Sequence, residues 1–168
     1  DALADWMDAD GEPQPGGGAE DAYYLALNPP YLAANQPLVD VAELALVRGF
    51  DDTVRARLRP YVAALPRLTL VNVNTARPEV LAAMIDGLDF GNAQALVAQR
   101  DRAYFRDRDD FLKLLPWGAE VAADTISVSS DYFLATLRVT IGGARARGQA
   151  LLAREGSGWP LIVWRKYL

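Results

Sequence analysis

The chain has 168 residues, 51% of them hydrophobic and 23% charged, with a formal net charge of −5 and neither cysteine nor histidine. That length suffices for one domain or for two small ones sharing a surface, and the composition is globular rather than disordered. The missing residue types exclude disulfides, thiol nucleophiles, Ser-His-Asp triads and ordinary zinc sites, while leaving the compartment undecided.

Charge is unevenly placed along the chain. Residues 1–47 hold nine acids and no base, residues 48–125 hold eleven of each, and residues 126–168 hold two acids and six bases. An acidic, cation-seeking head of this kind repels nucleic acid phosphates. No apolar run approaches the roughly 20 residues that span a bilayer, and no signal-peptide pattern opens the chain. With no initiator Met, it reads as a mature piece or an excised fragment.

Residues 2–7 read as the end of a helix whose start is missing, and residues 8–22 as a loop of Asp, Gly and Pro. Asn28-Pro29-Pro30-Tyr31 excludes regular helix, because a residue before proline is pushed to extended geometry. Asp40 then precedes VAELALVRGF, whose apolar spacing predicts a helix stopped at Gly49. Asp51 and Asp52 open another helix, predicted to run to Leu65 with an interruption near Pro60. Leu68, Leu70, Val71 and Val73 look extended. After Thr75 a helix is predicted with Pro78 and Glu79 in its first turn. A short turn at Gly87–Gly91 leads into the helix AQALVAQRDR. A third helix lies within DRDDFLKLLPWG, capped by Asp107 or Asp109 and stopped by Pro116. From Thr125 the period becomes two: Phe133, Ala135, Leu137, Val139 and Ile141 share one face. Gly142-Gly143 and Gly156-Ser157-Gly158 mark turns, so residues 125–168 form an antiparallel three-strand meander. One apolar face of such a sheet needs a cover, and no helix of the chain obviously supplies it.

Three constellations bear on chemistry. The stretch DWMDADGEPQPGGGAEDAYY, residues 5–24, holds six acids and no base. Asp8 and Asp10 precede a glycine as in oxygen-ligand calcium loops, and Glu20 and Asp21 follow the three glycines. Folding back, the loop brings four carboxylates together, a donor set suited to Ca²⁺ rather than Mg²⁺; the alternative is a solvated acidic loop. It is not an EF-hand, since position twelve is Ala19.

The second constellation, residues 72–114, resembles the helix-hairpin-helix units of nucleic-acid-binding proteins. Its hairpin is lengthened, however, and carries Asp89 where a phosphate would sit. Its arginines alternate with Asp101, Asp107, Asp109 and Asp110, so a packing module is the better reading than a nucleic-acid-binding one. The third comprises Asp107 with Asp110, and Ser127, Ser129 and Ser130. These lack, respectively, a pocket and a base, so no enzyme is expected. Trp6, Trp117, Trp159, Trp164 and the Tyr23-Tyr24 pair serve either a small core or an interface.

The order of DWMDADGEPQPGGGAEDAYY, NPPYLAANQPLVDVAELALVRGFD, PYVAALPRLTLVNVNTARPEVLAAM and a terminal WRKYL resembles the K-type minor pseudopilins of type II secretion systems along nearly the whole chain. That resemblance implies an α+β fold. Residues 1–124 would be a helical inserted domain with helix-hairpin-helix or SAM-like pieces, and residues 125–168 the last antiparallel strands of a pilin-like core. The membrane-spanning N-terminal helix of the family has no counterpart in this sequence.

The resemblance further implies a non-enzymatic subunit on the periplasmic side of the inner membrane. In complex with the I-type and J-type minor pseudopilins at the pseudopilus tip, its helical domain would cap the fibre or meet secreted exoproteins; the charge pattern, for its part, predicts no nucleic-acid partner. The resemblance also implies calcium held by Asp8, Asp10, Glu20 and Asp21, with Glu12, Asn28, Asp40 and Glu43 as further candidates.

Overall fold

The computed structural model describes residues 1–122 and 124–168 and divides into two compact units, Asp1–Leu68 and Thr69–Leu168. Helices and an antiparallel sheet of three strands coexist, an α+β chain.

The first unit holds α1 (Ala2–Met7), α2 (Asp21–Tyr24), a 3-10 helix (Val41–Leu46) and α3 (Asp52–Leu58). Trp6, Ala19, Tyr24, Leu44 and Val47 form its buried core. Three rings organise it: Trp6 meets Tyr24 edge-on at 5.1 Å, and Tyr31 stacks on Tyr24 at 5.4 Å. Edge and offset contacts of this kind suit the ring quadrupoles and add to area burial. Trp6 and Tyr24 therefore serve the core, whereas Trp117 and Trp159 are exposed.

The helix predicted after Asp40 is a 3-10 helix instead, started by a capping box in which Asp40 and Glu43 satisfy each other's backbone. With three residues per turn, Val41, Leu44 and Val47 fall in line on one face. Leu44 and Val47 are buried, and Val41 packs against them. The helix opened by Asp51 ends at Leu58 rather than Leu65. The ring of Pro60 cannot continue a helix, and only a turn follows.

In the second unit, β1 (Val71–Asn72) is followed by α4 (Pro78–Met84), α5 (Phe90–Arg102), α6 (Arg108–Leu112) and β2 (Ile126–Ser127). Residues Ile126 and Ser127 pair in parallel with Val71 and Asn72, so the meander begins only at Tyr132. Val73, Leu81, Ile85, Leu88, Leu96, Phe105, Phe111 and Ile126 are buried together. The two asparagines of the NVN run are structural. Asn74 exchanges hydrogen bonds with the backbone of Phe105 at 2.9 and 2.8 Å, and Asn72 donates to Ser130 Oγ at 2.9 Å.

The turn predicted at Gly87–Gly91 is shorter than expected, because α5 already starts at Phe90 with Asp89 as its cap. Asp89 accepts from Asn92 N at 2.9 Å, so the carboxylate fills the place an anion would take at this helix start. Gly87 has φ +74°, and a Cβ there would stand 2.5 Å from the Gly118 carbonyl oxygen. Only glycine meets both conditions.

Strands β3 (Tyr132–Ile141), β4 (Ala144–Ala153) and β5 (Leu161–Tyr167) form the antiparallel meander in sequential order. Its register pairs Phe133 with Leu152, Leu137 with Gly148 and Val139 with Ala146, and slips once between Leu151 and Leu152. The expected apolar face is present and uncovered: Phe133, Leu137, Val139 and Ile141 are all exposed. Leu151 and Ala153 are buried.

Candidate metal centre

The acidic segment folds back on itself. α1 carries Asp5 inward beside Trp6, and Asp8 follows one turn later as the C-terminal cap of that helix. No basic residue stands in the last turn of α1. The carboxylate of Asp8 therefore sits at the negative end of the helix dipole without local compensation. The loop then returns through the glycines to Glu20, which immediately precedes α2.

Two interactions close the loop. Gln14 N donates to Asp5 Oδ2 at 3.1 Å, and Arg48 reaches across to donate to the Gly18 carbonyl at 2.9 Å. Arg48, the first cation of the chain, also lies over the Tyr23 ring, 4.8 Å from its centroid. Gly18 approaches Asp5 so closely that a Cβ would collide with Asp5 Oδ2 and the Gln14 backbone.

Asp5, Asp8 and Glu20 each offer an oxygen, and these oxygens lie within 4.8 Å of one another. This is the one such group of potential ligands among the described residues. Asp5 is fully buried and Glu20 is 6% exposed. Asp8 Oδ1 and Glu20 Oε1 are buried without a hydrogen-bond donor. Burial, reinforced by the charges of Asp5, Asp8, Asp10 and Asp21, raises the Glu20 carboxyl above its ordinary range. Burial and then Asp10 and Asp5 raise Asp8 likewise. Two orphaned carboxylate oxygens in a cluster with no cationic side chain form a donor set for a hard divalent ion, since burying unpaired charge is otherwise costly.

Of the four residues expected from the sequence, Asp8 and Glu20 enter this cluster. Asp10 and Asp21 stand outside it. Asp10 Oδ1 accepts from Glu12 N at 2.9 Å, and Asp21 Oδ1 accepts from Ala33 N at 2.9 Å. Both act on Glu20 through their charge. Asp40 and Glu43 are engaged in their capping box. Asp5 was not among the expected ligands. Its signal was the i, i+3 spacing to Asp8, which places both on one helix face.

Family models described as "Type II secretion system (T2SS), protein K" match residues 1–67 and 71–129. Type II secretion system protein K of Pseudomonas aeruginosa is 43% identical over 159 residues, covering 94% of this chain and 47% of that protein. The Klebsiella pneumoniae protein K is 39% identical, covering 99% of this chain and 53% of its own length. The chain thus spans about half the length of the curated relatives it matches. In the crystal structure of the GspK-GspI-GspJ complex from enterotoxigenic Escherichia coli, one chain superposes with a TM-score of 0.80 at 29% identity. The match covers 99% of this chain and 61% of that one.

Proposed function

The chain belongs to the type II secretion system protein K family, and from that premise we propose that it acts as a non-enzymatic minor pseudopilin at the tip of the pseudopilus. The observation that carries this reading is the uncovered apolar face of the β3–β4–β5 sheet. A monomer rarely leaves such a face to water, and extended patches of this kind mark interaction sites. The likeness to a chain from a K–I–J complex supports I-type and J-type minor pseudopilins as partners. On this reading residues 1–124 are the helical inserted domain and α4–α5 its helix-hairpin-helix-like packing piece. Strands β3–β5 are the last strands of a pilin-like core, and β2 stays on the helical side through its pairing with β1. The bulk of the inserted domain caps the fibre on the periplasmic side of the inner membrane and meets secreted exoproteins. No helix of the described residues is long and apolar enough to cross a membrane.

The reading includes a structural Ca²⁺ held by Asp5, Asp8 and Glu20, with Asp10 and Asp21 adding negative potential or completing the shell. Bound calcium supplies the positive charge that these carboxylates lack. The protein residues, for their part, fix the loop between α1 and α2 against the ring cluster. The nucleic-acid reading of residues 72–114 is weakened by Asp89, which already occupies the α5 amides.

The test is assembly. Intact protein mixed with its I-type and J-type partners should elute as one heteromeric species. Leu137→Asp and Val139→Asp should dissociate it without lowering the melting temperature of the isolated protein. Assembly unchanged by both substitutions would remove the sheet face from the interface and sink the reading.

A further inference from the structure

Between residues 100 and 113 the sequence alternates five cationic and four acidic residues, and along the chain their charges nearly cancel. In space they are sorted. A cleft of about 730 Å³ opens where α5 ends and α6 begins, and Arg102, Tyr104, Arg106, Asp110, Lys113 and Leu114 line it. Three cations thus face one carboxylate there. The other acids lie outside the lining: Asp101 pairs with Arg100 at 3.6 Å, and Asp107 caps α6 by accepting from Asp110 N at 2.8 Å. Within the cleft, Asp110 is engaged by Arg106 at 3.1 Å. Lys113 adds its charge to the same carboxylate, and the lining as a whole keeps a surplus of positive charge to which Arg102 and Lys113 contribute. Beside them Tyr104 is 73% exposed, a large ring with little packing of its own.

We propose that this cleft docks an acidic segment of a partner protein, with a carboxylate against Arg102 and Lys113 and a neighbouring aromatic or apolar side chain on Tyr104. Paired cations recognise carboxylates through charge-assisted hydrogen bonds. An exposed tyrosine supplies contact area at low entropic cost, so acid and ring together select an acidic–aromatic sequence rather than a bare anion. The chain's net charge of −5 repels a long polyanion more than a short segment with a few carboxylates. The cleft shares no lining residue with the sheet face or the acidic loop, so the proposal survives or fails independently of both.

The probe is a fluorescein-labelled pentapeptide of alternating aspartate and phenylalanine, titrated into the intact protein and followed by anisotropy. Saturable binding should weaken at least tenfold in Arg102→Glu and in Lys113→Glu, severalfold in Tyr104→Ala, and little in Arg102→Lys. Arg57→Glu, the same charge change on α3, should leave it unchanged. Circular dichroism melting of each variant separates lost binding from lost fold, and the two charge reversals on different elements back each other up. Equal weakening by Arg57→Glu would reduce the effect to long-range attraction and overturn the proposal. So would an absence of saturable binding, or tighter binding of a single-stranded DNA oligonucleotide or of pyrophosphate than of the peptide.

Discussion

Glu20 is a residue whose neighbours are all of its own sign. Folding brings Asp5 and Asp8 against it and buries it, so its carboxyl is raised and holds its proton more firmly in the folded state than in the unfolded chain. A raised carboxyl contributes stability at low pH and loses that contribution as pH rises through the folded value. In chelator at neutral pH, Glu20→Gln should therefore melt above the unsubstituted protein. The gap should close as pH falls through the range above the ordinary 4.5 of this group. With calcium the order reverses: only the unsubstituted protein should gain melting temperature, and that gain should shrink on acidification as protons compete for the oxygens. Thermal melts across pH with EGTA or excess Ca²⁺ check both halves. A calcium response retained by both Glu20→Gln and Asp5→Asn would refute the centre. Gly18 is the steric counterpart of this site. Gly18→Ala should cost roughly 2 kcal/mol, because the clash is with backbone and with Asp5 rather than with a flexible side-chain end.

At the scale of elements, the helices are short and lean on caps and on a few buried rings. α6 has five residues, Asp107 at its start and Phe111 fully buried within it. Phe111 meets Phe105 edge-on at 5.3 Å. Asp107→Ala should cost about 1 kcal/mol, the usual loss of a side-chain cap. Phe111→Ala should cost about 3–5 kcal/mol through lost burial and the cavity left behind. Urea melts of the two variants should differ accordingly, and equal losses would mean that α6 is held by its cap rather than its core. Caps, prolines and glycines of these elements were legible in the sequence: Asp107 caps α6, Pro78 lies at the start of α4, and Gly49 takes φ +86° after the 3-10 helix. The type of the Val41–Leu46 helix was not, because apolar residues three apart suit both periods until packing chooses between them.

At the scale of the whole molecule, the chain consists of two units with separate cores, one of which holds the acidic cluster. If that cluster is the calcium centre, added Ca²⁺ should slow amide hydrogen exchange within residues 1–68, most of all from Asp5 to Tyr24. Exchange in β3–β5 should be unchanged. Exchange mass spectrometry with and without calcium reads this directly, and protection confined to the sheet would relocate the ion. The sheet contributes the opposite kind of feature, an apolar face without a cover of its own. On the proposed reading, partner pseudopilins supply that cover.

The sequence by itself determined several local features: caps such as Asp40, Asp51 and Asp107, the glycine turns, a strand meander at the end of the chain, and that the acids gather near the start. Each of these depends on side chains within a few positions of the backbone they act on. The order of motifs along the chain also identified the family. Only the tertiary structure decided which acids meet. Asp5 joins Asp8 and Glu20 because a loop closed by Gln14 and Arg48 folds Glu20 back onto α1, and Asp21 turns away to Ala33. It likewise decided that, of the charges around residues 100–113, Arg102, Arg106 and Lys113 line one cleft with Asp110. Approaches of this kind depend on loop closure and on packing among distant segments, and neither has a signature in the spacing of neighbouring residues.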